Sequence, residues 1–420
     1  MTETEIRVDR ATDKERYLAT DHLVWFSEVG SQSTDAQLVG VPENQRFAAE
    51  VDGADAATYP GIYGVRPMDL SIPGADGPHM VPVAGLTWVG VHPDHRRRGL
   101  LTAMMKHHMA QTRREGLHLS ALHASEPSIY GRHGYGLASL EQTVTLGRGT
   151  TFTAPALDDA AGSVVTRLAT LASPGMAERL REIDLRASAG EVGVIVGEQA
   201  FYDRWCDETP EELRGKESAR VLIASRDGQD IGFAPFRREH KWDNGRPGAK
   251  VECHGVNGEP AARLALFRRL VELDLMGTLK VFSIGEHDPL HSWLDGPRGT
   301  GSLETYDSLW VRLVDLPAAL AARAYAEDCD VVVDVSDPSA PWNAGRWRIR
   351  VRAGVAEVTS TDADADLALS VDVLGAAYLG GGNLLAKLRA GRITEHRAGS
   401  VAELWHAMRT DVLPAAATGF

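Results

Sequence analysis

The chain has 420 residues, 43% of them hydrophobic and 24% charged, with a formal net charge of −14. That length exceeds one ordinary core and calls for two or three domains; the acidic balance excludes a general nucleic-acid binder, which needs basic stripes, and favours cationic partners through long-range steering. Three cysteines, Cys206, Cys253 and Cys329, lie far apart with no CxxC pair, which excludes a zinc ribbon or disulfide framework and suits the reduced thiols of a cytoplasm; Met1–Arg10 carries no apolar leader, and no uncharged apolar run is long enough to span a bilayer.

In chain order, the first regular segment is a strand over Val81–Pro93, rich in Val, Thr and Trp and stopped by a proline. A helix follows over 99–115. Leu100, Leu101, Met104, Met105, His108 and Met109 form one apolar stripe, and Gly116 ends it. Leu117–Ala124 reads as a strand, Glu126–His133 as a short helical piece, and Leu140–Leu146 as a further strand. Strand, helix, strand implies parallel pairing with a crossover helix.

A second block repeats this order. Arg179–Arg186 and Gln199–Cys206 are helical, and Arg220–Ser225 with Asp230–Arg237 form a hairpin across Asp227-Gly228. Lys250–Val256 (strand), Pro260–Leu275 (helix) and Thr278–Ile284 (strand) complete it. A third block, α+β, begins near Leu303. Its strands are Leu309–Leu313, Val331–Val335, Arg346–Val351 and Ala356–Thr359. Its helices are Leu316–Tyr325, Val373–Leu379, Leu384–Ala390 and Val401–Met408.

One segment carries recognisable chemistry: Val89-Gly90-Val91-His92-Pro93-Asp94-His95-Arg96-Arg97-Arg98-Gly99-Leu100-Leu101-Thr102. A strand enters a turn with three arginines and a glycine, and the turn opens a helix. Backbone N–H groups at a helix start lack internal partners, the dipole adds positive character, and a pyrophosphate suits such a site. Gly99 has no Cβ and lets phosphate approach the backbone. Arginines at a helix start oppose the dipole, so a mere cap would not select three. The corresponding turn of the second block is Gly258-Glu259-Pro260, which offers a negative charge and a proline without an N–H. The second copy has therefore lost its anion site. His107-His108 and the pair His287 and His291 lack metal-site spacing, and no metal is expected. Gly380–Gly382 lacks the Lys-Ser/Thr of a P-loop.

The turn, together with Ala121-Leu122-His123-Ala124-Ser125-Glu126 and Ile129-Tyr130-Gly131-Arg132-His133-Gly134-Tyr135-Gly136, resembles the GNAT acetyltransferases. More narrowly it resembles the mycobacterial-type Eis ("enhanced intracellular survival") family, over the whole chain. Asp337-Pro338, Asn343-Ala344-Gly345 and the Leu379–Leu388 stretch extend the likeness into the third block. The resemblance implies a mixed α/β and α+β chain. It would contain an N-terminal GNAT domain over 1–147, a degenerate GNAT-like domain over 148–300 and a sterol-carrier-protein-like domain over 301–420.

The same resemblance implies an enzyme that moves acetyl from acetyl-coenzyme A to an amine. Val89, Gly90 and Val91 would pair with the pantetheine arm; Arg97, Arg98, Gly99, Leu100, Leu101 and Thr102 would hold the pyrophosphate; Ser125 and Glu126 would lie along the cofactor. Tyr130 matches the family's general acid, and the terminal Phe420 its general base, through the α-carboxylate. By themselves Tyr130 reads more readily as core than as a catalyst, and Phe420 as a frayed tail; Tyr135 reads as packing. The Val91 N–H is a candidate donor to the oxyanion. Trp25 and Phe26 beside Glu28 suit a cationic acceptor, and equally suit core aromatics with a surface acid. The family's acceptors are aminoglycosides, often at several amines, and lysine side chains; its assembly is a homohexamer. The competing reading is a non-catalytic module that binds lipid or protein through the third block.

Overall fold

Three large sheets organise the chain, in a computed structural model that describes residues 5–27, 33–208, 213, 217–294 and 296–420. The first part runs β1 (Ile6–Arg10), α1 (Lys14–Trp25), α2 (Thr34–Gln37), β2 (Arg46–Val51), β3 (Gly61–Ile72), β4 (His79–Val91), α3 (Leu100–Arg114), β5 (Leu119–His123), α4 (Pro127–Tyr130), β6 (Gly136–Leu137) and β7 (Leu140–Gly147). The first sheet has the order β1-β2-β3-β4-β5, then Leu309–Leu313, then β6, with Ile195–Gly197 added beside β3. Its pairings are antiparallel except β4 with β5. Those two are joined by α3, as the strand–helix–strand order predicts. The apolar stripe of α3 buries Leu100, Met104, Met105, His108 and Met109 against this sheet.

The second sheet repeats the arrangement. Ala249–His254 and Met276–Ile284 are parallel and connected by the helix Pro260–Val271. The hairpin turn sits where expected, with Asp227 and Gly228 both at positive φ, 53° and 81°. The third sheet has five strands in the order Val355–Ser360, Gly345–Arg352, Cys329–Ser336, Leu367–Ser370, Ile393–Glu395. No helix among the described residues is long and apolar enough to cross a membrane.

Two strands join sheets other than those their place in the chain suggests. β7, read with the first block, pairs with Met276–Ile284 and Ser302–Asp307 in the second sheet. Leu309–Leu313, read with the third block, pairs with β5 and β6 in the first. Segments 136–147 and 302–313 thus run as one antiparallel ribbon through both sheets. They cross at Ser139 and Ser308, where the Ser308 N–H donates to the Ser139 carbonyl at 3.0 Å. The partners are more than a hundred residues apart, so local sequence pattern carries no trace of this pairing.

The third block is docked onto the first sheet by a buried polar network. The Arg312 guanidinium, with no exposed side-chain surface, donates to both oxygens of Asp337, itself 0% exposed, at 2.6 and 2.7 Å. It also donates to the carbonyls of His133 (3.0 Å) and Leu313 (2.7 Å). Asn343 Nδ2 donates to Asp337 Oδ2 at 3.1 Å, and its Oδ1 accepts from the Leu316 N–H at 3.0 Å. The glycines of the Tyr130–Gly136 motif serve the same docking. A Cβ on Gly134 would stand 2.7 Å from Arg312 Nε, and one on Gly136 would stand 2.0 Å from the Asp372 carbonyl. One apolar cluster runs without a break from Val83, Leu119 and Val311 of the first sheet to Leu374, Met408 and Ala417 beyond it.

Asp337→Ala strands a fully buried guanidinium and should cost ~3–5 kcal/mol, whereas replacing the pair by Met and Leu should cost far less. Urea unfolding of the full chain measures both; a loss under ~1 kcal/mol for Asp337→Ala would contradict this account.

Candidate active site

The first sheet opens where β4 and β5 part. They pair only at Ala84 with Ser120 and Gly85 with Ala121. Beyond Gly85 the edge of β4 that carries Val89, Gly90 and Val91 has no neighbour strand on that side, while its other edge stays paired with β3 up to Gly61. The opening begins at an irregularity. Trp88 has φ 53°, and the β3–β4 register shifts between Ile62 and Gly64, so β4 carries an extra residue there. Such a bulge twists a strand away from its partner. Gly90 admits Val24 of α1, whose Cγ1 would lie 3.1 Å from a Cβ at that position.

At the far end of β4 the chain passes through a short 3₁₀ turn, Pro93–His95, into α3. Arg97 is left-handed at φ 61°, and Gly99 caps the helix at φ 89° with no side-chain cap hydrogen bond. Arg96, Arg97, Arg98 and Gly99 are exposed. No ion pair involves any of the three arginines among the described residues. Three arginines without an ion-pair partner among the described residues stand beside the helix-start N–H groups, an arrangement that favours an anion, and the open β4 edge leads to it. These are the features a pantetheine diphosphate requires. Leu100 is buried under α3, so its contribution to such a site is its backbone; Leu101 is half-buried and Thr102 exposed.

The second sheet shows what loss of the site looks like. Its two parallel strands stay paired from Ala249–Met276 through His254–Phe282, so no opening forms. At the equivalent turn Gly258 lies against the neighbouring strand, where a Cβ would come 2.4 Å from the Ile231 carbonyl. Glu259 is ion-paired with Arg226.

On the β5 side, Ser125 and Glu126 follow the strand and are exposed. Tyr130 ends α4 and is 7% exposed, in edge contact with Tyr135 at 6.1 Å between ring centroids. Burial raises the Tyr130 pKa, against a hydrogen bond with the Ser125 side chain; the hydroxyl therefore keeps its proton at neutral pH. Tyr135 is fully buried and its hydroxyl shares a 2.7 Å hydrogen bond with Ser120 Oγ, a structural role.

Across the opening lies a cavity of about 1140 Å³ between the first two sheets. Trp88 and His123 line it from the first sheet, Glu141, Glu252 and Phe282 from the second, and Thr418, Gly419 and Phe420 from the end of the chain. The terminal segment is fixed at several points. The Ala415 N–H donates to the Val192 carbonyl at 2.8 Å, and the Ala417 N–H to Ser308 Oγ at 3.1 Å. His123 Nε2 donates to the Thr418 carbonyl at 3.2 Å, and its ring meets that of Phe420 edge-on at 5.2 Å. Burial lowers the His123 pKa, so the ring is neutral and available for this bond. The Phe420 ring packs over Gly85, where a Cβ would stand 3.0 Å from it. The last residue thus sits at the point where β4 and β5 separate.

His123 and Glu141 were not singled out in the sequence. His123 stands inside a motif quoted for its likeness and could have been read there; Glu141 had no local signal. Of the acceptor-side candidates, Trp25 and Phe26 are exposed, 47% and 96%, and neither lines the cavity. Glu28 lies outside the described residues. No cluster of His, Cys, Asp and Glu among the described residues has the form of a metal site.

A family model of the acetyltransferase (GNAT) domain matches residues 12–138, and one of a sterol carrier protein domain matches residues 316–415. An uncharacterised N-acetyltransferase of Streptomyces avermitilis is 34% identical over 425 residues, 99% of this chain and 100% of that protein. The N-acetyltransferase Eis of Mycobacterium tuberculosis is 30% identical over 369 residues, 84% of this chain and 83% of its own. Among solved structures, Eis1 of Mycobacterium abscessus superposes with a TM-score of 0.81 at 26% identity, over 99% of this chain and 100% of its own.

Exchanging Arg97 or Arg98 for Glu, or Gly99 for Val, should weaken acetyl-coenzyme A strongly. Wild-type titration should saturate at one cofactor per chain; unchanged affinity in all three variants, or two sites per chain, would speak against the cradle. Tyr130→Phe removes a hydroxyl and little volume, so stability should hold while turnover falls roughly 100-fold. Stopped thiol-release assays read this directly, and full turnover would place the acid elsewhere.

Proposed function

The chain belongs to the Eis-type N-acetyltransferases of the GNAT superfamily, and from that premise we propose that it acetylates an amine of a cationic acceptor held in the cavity between its first two sheets. The acceptors of the family resemblance, an aminoglycoside or a lysine side chain, are the proposed class. The observation that carries the reading is the juxtaposition of two surfaces at one opening. The basic turn and free β4 edge lie on one side, and the cavity containing the chain terminus lies on the other. Glu141 supports a cationic acceptor: it is half-buried, burial raises its pKa, and no cation pairs with it among the described residues.

The roles follow from what each group can do. Acetyl-coenzyme A supplies an activated thioester, its pantetheine along Val89–Val91 and its phosphates at Arg97–Thr102, with Ser125 and Glu126 flanking it. The amine must lose a proton to attack. The Phe420 carboxylate takes that proton, directly or through water; its residue is half-buried, with the ring packed at the strand fork against Gly85 and His123. Tyr130, protonated by virtue of its burial, returns a proton to the departing thiolate. The third block positions the terminus: its side chains, Leu374, Tyr378, Leu404 and Met408 among them, pack in one cluster with the first sheet. Assembly into a hexamer is part of the same proposal, and the mass in solution by light scattering tests it.

A tag fused after Phe420 converts the carboxylate to an amide while keeping the ring, which separates charge from packing. Tagged enzyme should bind acetyl-coenzyme A as before and lose most of its turnover; deletion of Phe420 should do the same. Equal turnover of tagged and untagged protein on one amine across pH 6 to 9 would remove the carboxylate from the mechanism.

A further inference from the structure

Among the described residues, Arg66 has no ion-pair partner. It stands on β3 opposite Gly85 of β4 and lines both the main cavity and an adjoining one of about 370 Å³. Its Nε is buried without a hydrogen-bond partner, and no hydrogen bond or ion pair involves its other nitrogens among the described residues. Its one aromatic contact is weak, with the guanidinium carbon 5.6 Å from the Phe201 ring centroid. Other arginines with a buried Nε are treated differently. Arg16 and Arg263 also leave Nε unpaired, yet their terminal nitrogens bind Glu50 and Asp288. In the main cavity itself Arg237 is ion-paired with Glu208 at 2.6 Å, and Arg204 donates to the Asp207 carbonyl at 3.0 Å. Burial, and the nearby charge of Arg204, lower the Arg66 pKa to about 10. It remains a cation at neutral pH, partly desolvated on a cavity wall.

A half-buried guanidinium that faces a cavity, with its Nε buried and no partner among the described residues, is accounted for when a ligand supplies the missing anion, and the planar fork suits a carboxylate or phosphate. We propose that Arg66 binds an anionic group of the acceptor, so that the acceptor carries an acid as well as the amine that is acetylated. This rests on reading the cavity as the acceptor site. It narrows the acceptor class: an acceptor with amines alone leaves Arg66 unanswered, whereas an amino acid or peptide bearing a free carboxylate, or a phosphorylated amine, satisfies both Arg66 and Glu141, which accepts from Ser283 Oγ but has no cation partner among the described residues. Phe420 packs over Gly85, the cross-strand partner of Arg66. An acid held at Arg66 therefore keeps the rest of the acceptor beside the strand fork, where the thioester would lie.

The test compares amines that differ only in the acid: 6-aminohexanoate with pentan-1-amine, and O-phosphoethanolamine with ethanolamine, on wild type, Arg66→Met and Arg66→Lys. Arg66→Met should raise KM for the acid-bearing member of a pair roughly tenfold or more, with kcat retained and the KM of its acid-free partner moved far less. Arg66→Lys should recover part of the loss, and the pair that responds tells carboxylate from phosphate. Removing a half-buried charge without a partner should also leave the melting midpoint unchanged or higher. Calorimetric titration of 6-aminohexanoate and O-phosphoethanolamine into the same proteins with coenzyme A bound reads the subsite without turnover. If wild type acetylates neither amine, the catalytic reading falls while calorimetry still decides the subsite. Equal KM changes within each pair, or binding indifferent to Arg66, would overturn the proposal. So would a fall in kcat for all four amines, which would make Arg66 the partner of the Phe420 carboxylate instead.

Discussion

The pairing of Arg312 with Asp337, fully buried and completed by Asn343, is the constraint on which the rest of the structure depends. It fastens a strand of the first sheet to the third block. Two buried ions repay their desolvation only when every donor and acceptor is met, and here the carbonyls of His133 and Leu313 and the backbone at Ala340 and Leu316 supply the remainder. The geometry has no slack, because Gly134 and Gly136 leave no room for a side chain between the parts. The tail that follows the last helix is consequently delivered to one place, the fork between β4 and β5.

The contrast between the two related sheets separates fold from function. Both carry parallel strands joined by a crossover helix. In one the strands part after two residue pairs, leaving a free backbone edge that ends in unpaired arginines. In the other they remain paired over six, and the equivalent turn is filled by backbone and by an acid. The same topology thus leaves a free strand edge or a closed core according to whether one strand edge is released. The second sheet still contributes to the site, as the opposite wall of the cavity, through Glu141, Glu252 and Phe282.

The charges of that cavity give its chemistry. Glu141 and the chain terminus are negative, and Arg66, Arg204 and Arg237 are positive, so its walls are not the uniformly acidic surface that a net charge of −14 suggests. Net charge describes the field at a distance, where it affects encounter; the acceptor that fits is set by the few charges that face it at close range.

The sequence by itself determined the local elements and the cofactor turn. The stripe of α3, the hairpin at Asp227-Gly228, the helix Gln199–Cys206 and the cradle at Arg96–Gly99 all depend on neighbours within a few residues, where periodicity, turn residues and helix-end chemistry act. The early strands β1 to β3 and the helix α1 went unread, since their apolar residues follow no clean alternation and β3 is buried along nearly its whole length. The motif Tyr130–Gly136 was legible as a likeness, but the reason for its glycines was not, because the atoms that exclude a Cβ come from Arg312 and Asp372. Tertiary structure alone decided which sheet β7 and Leu309–Leu313 join, that Phe420 returns to Gly85 and His123, and that Arg66 and Glu141 face one cavity. Each of these is a contact between residues far apart in the chain, and a sequence records such a contact only through the residue types it tolerates, not through where they meet.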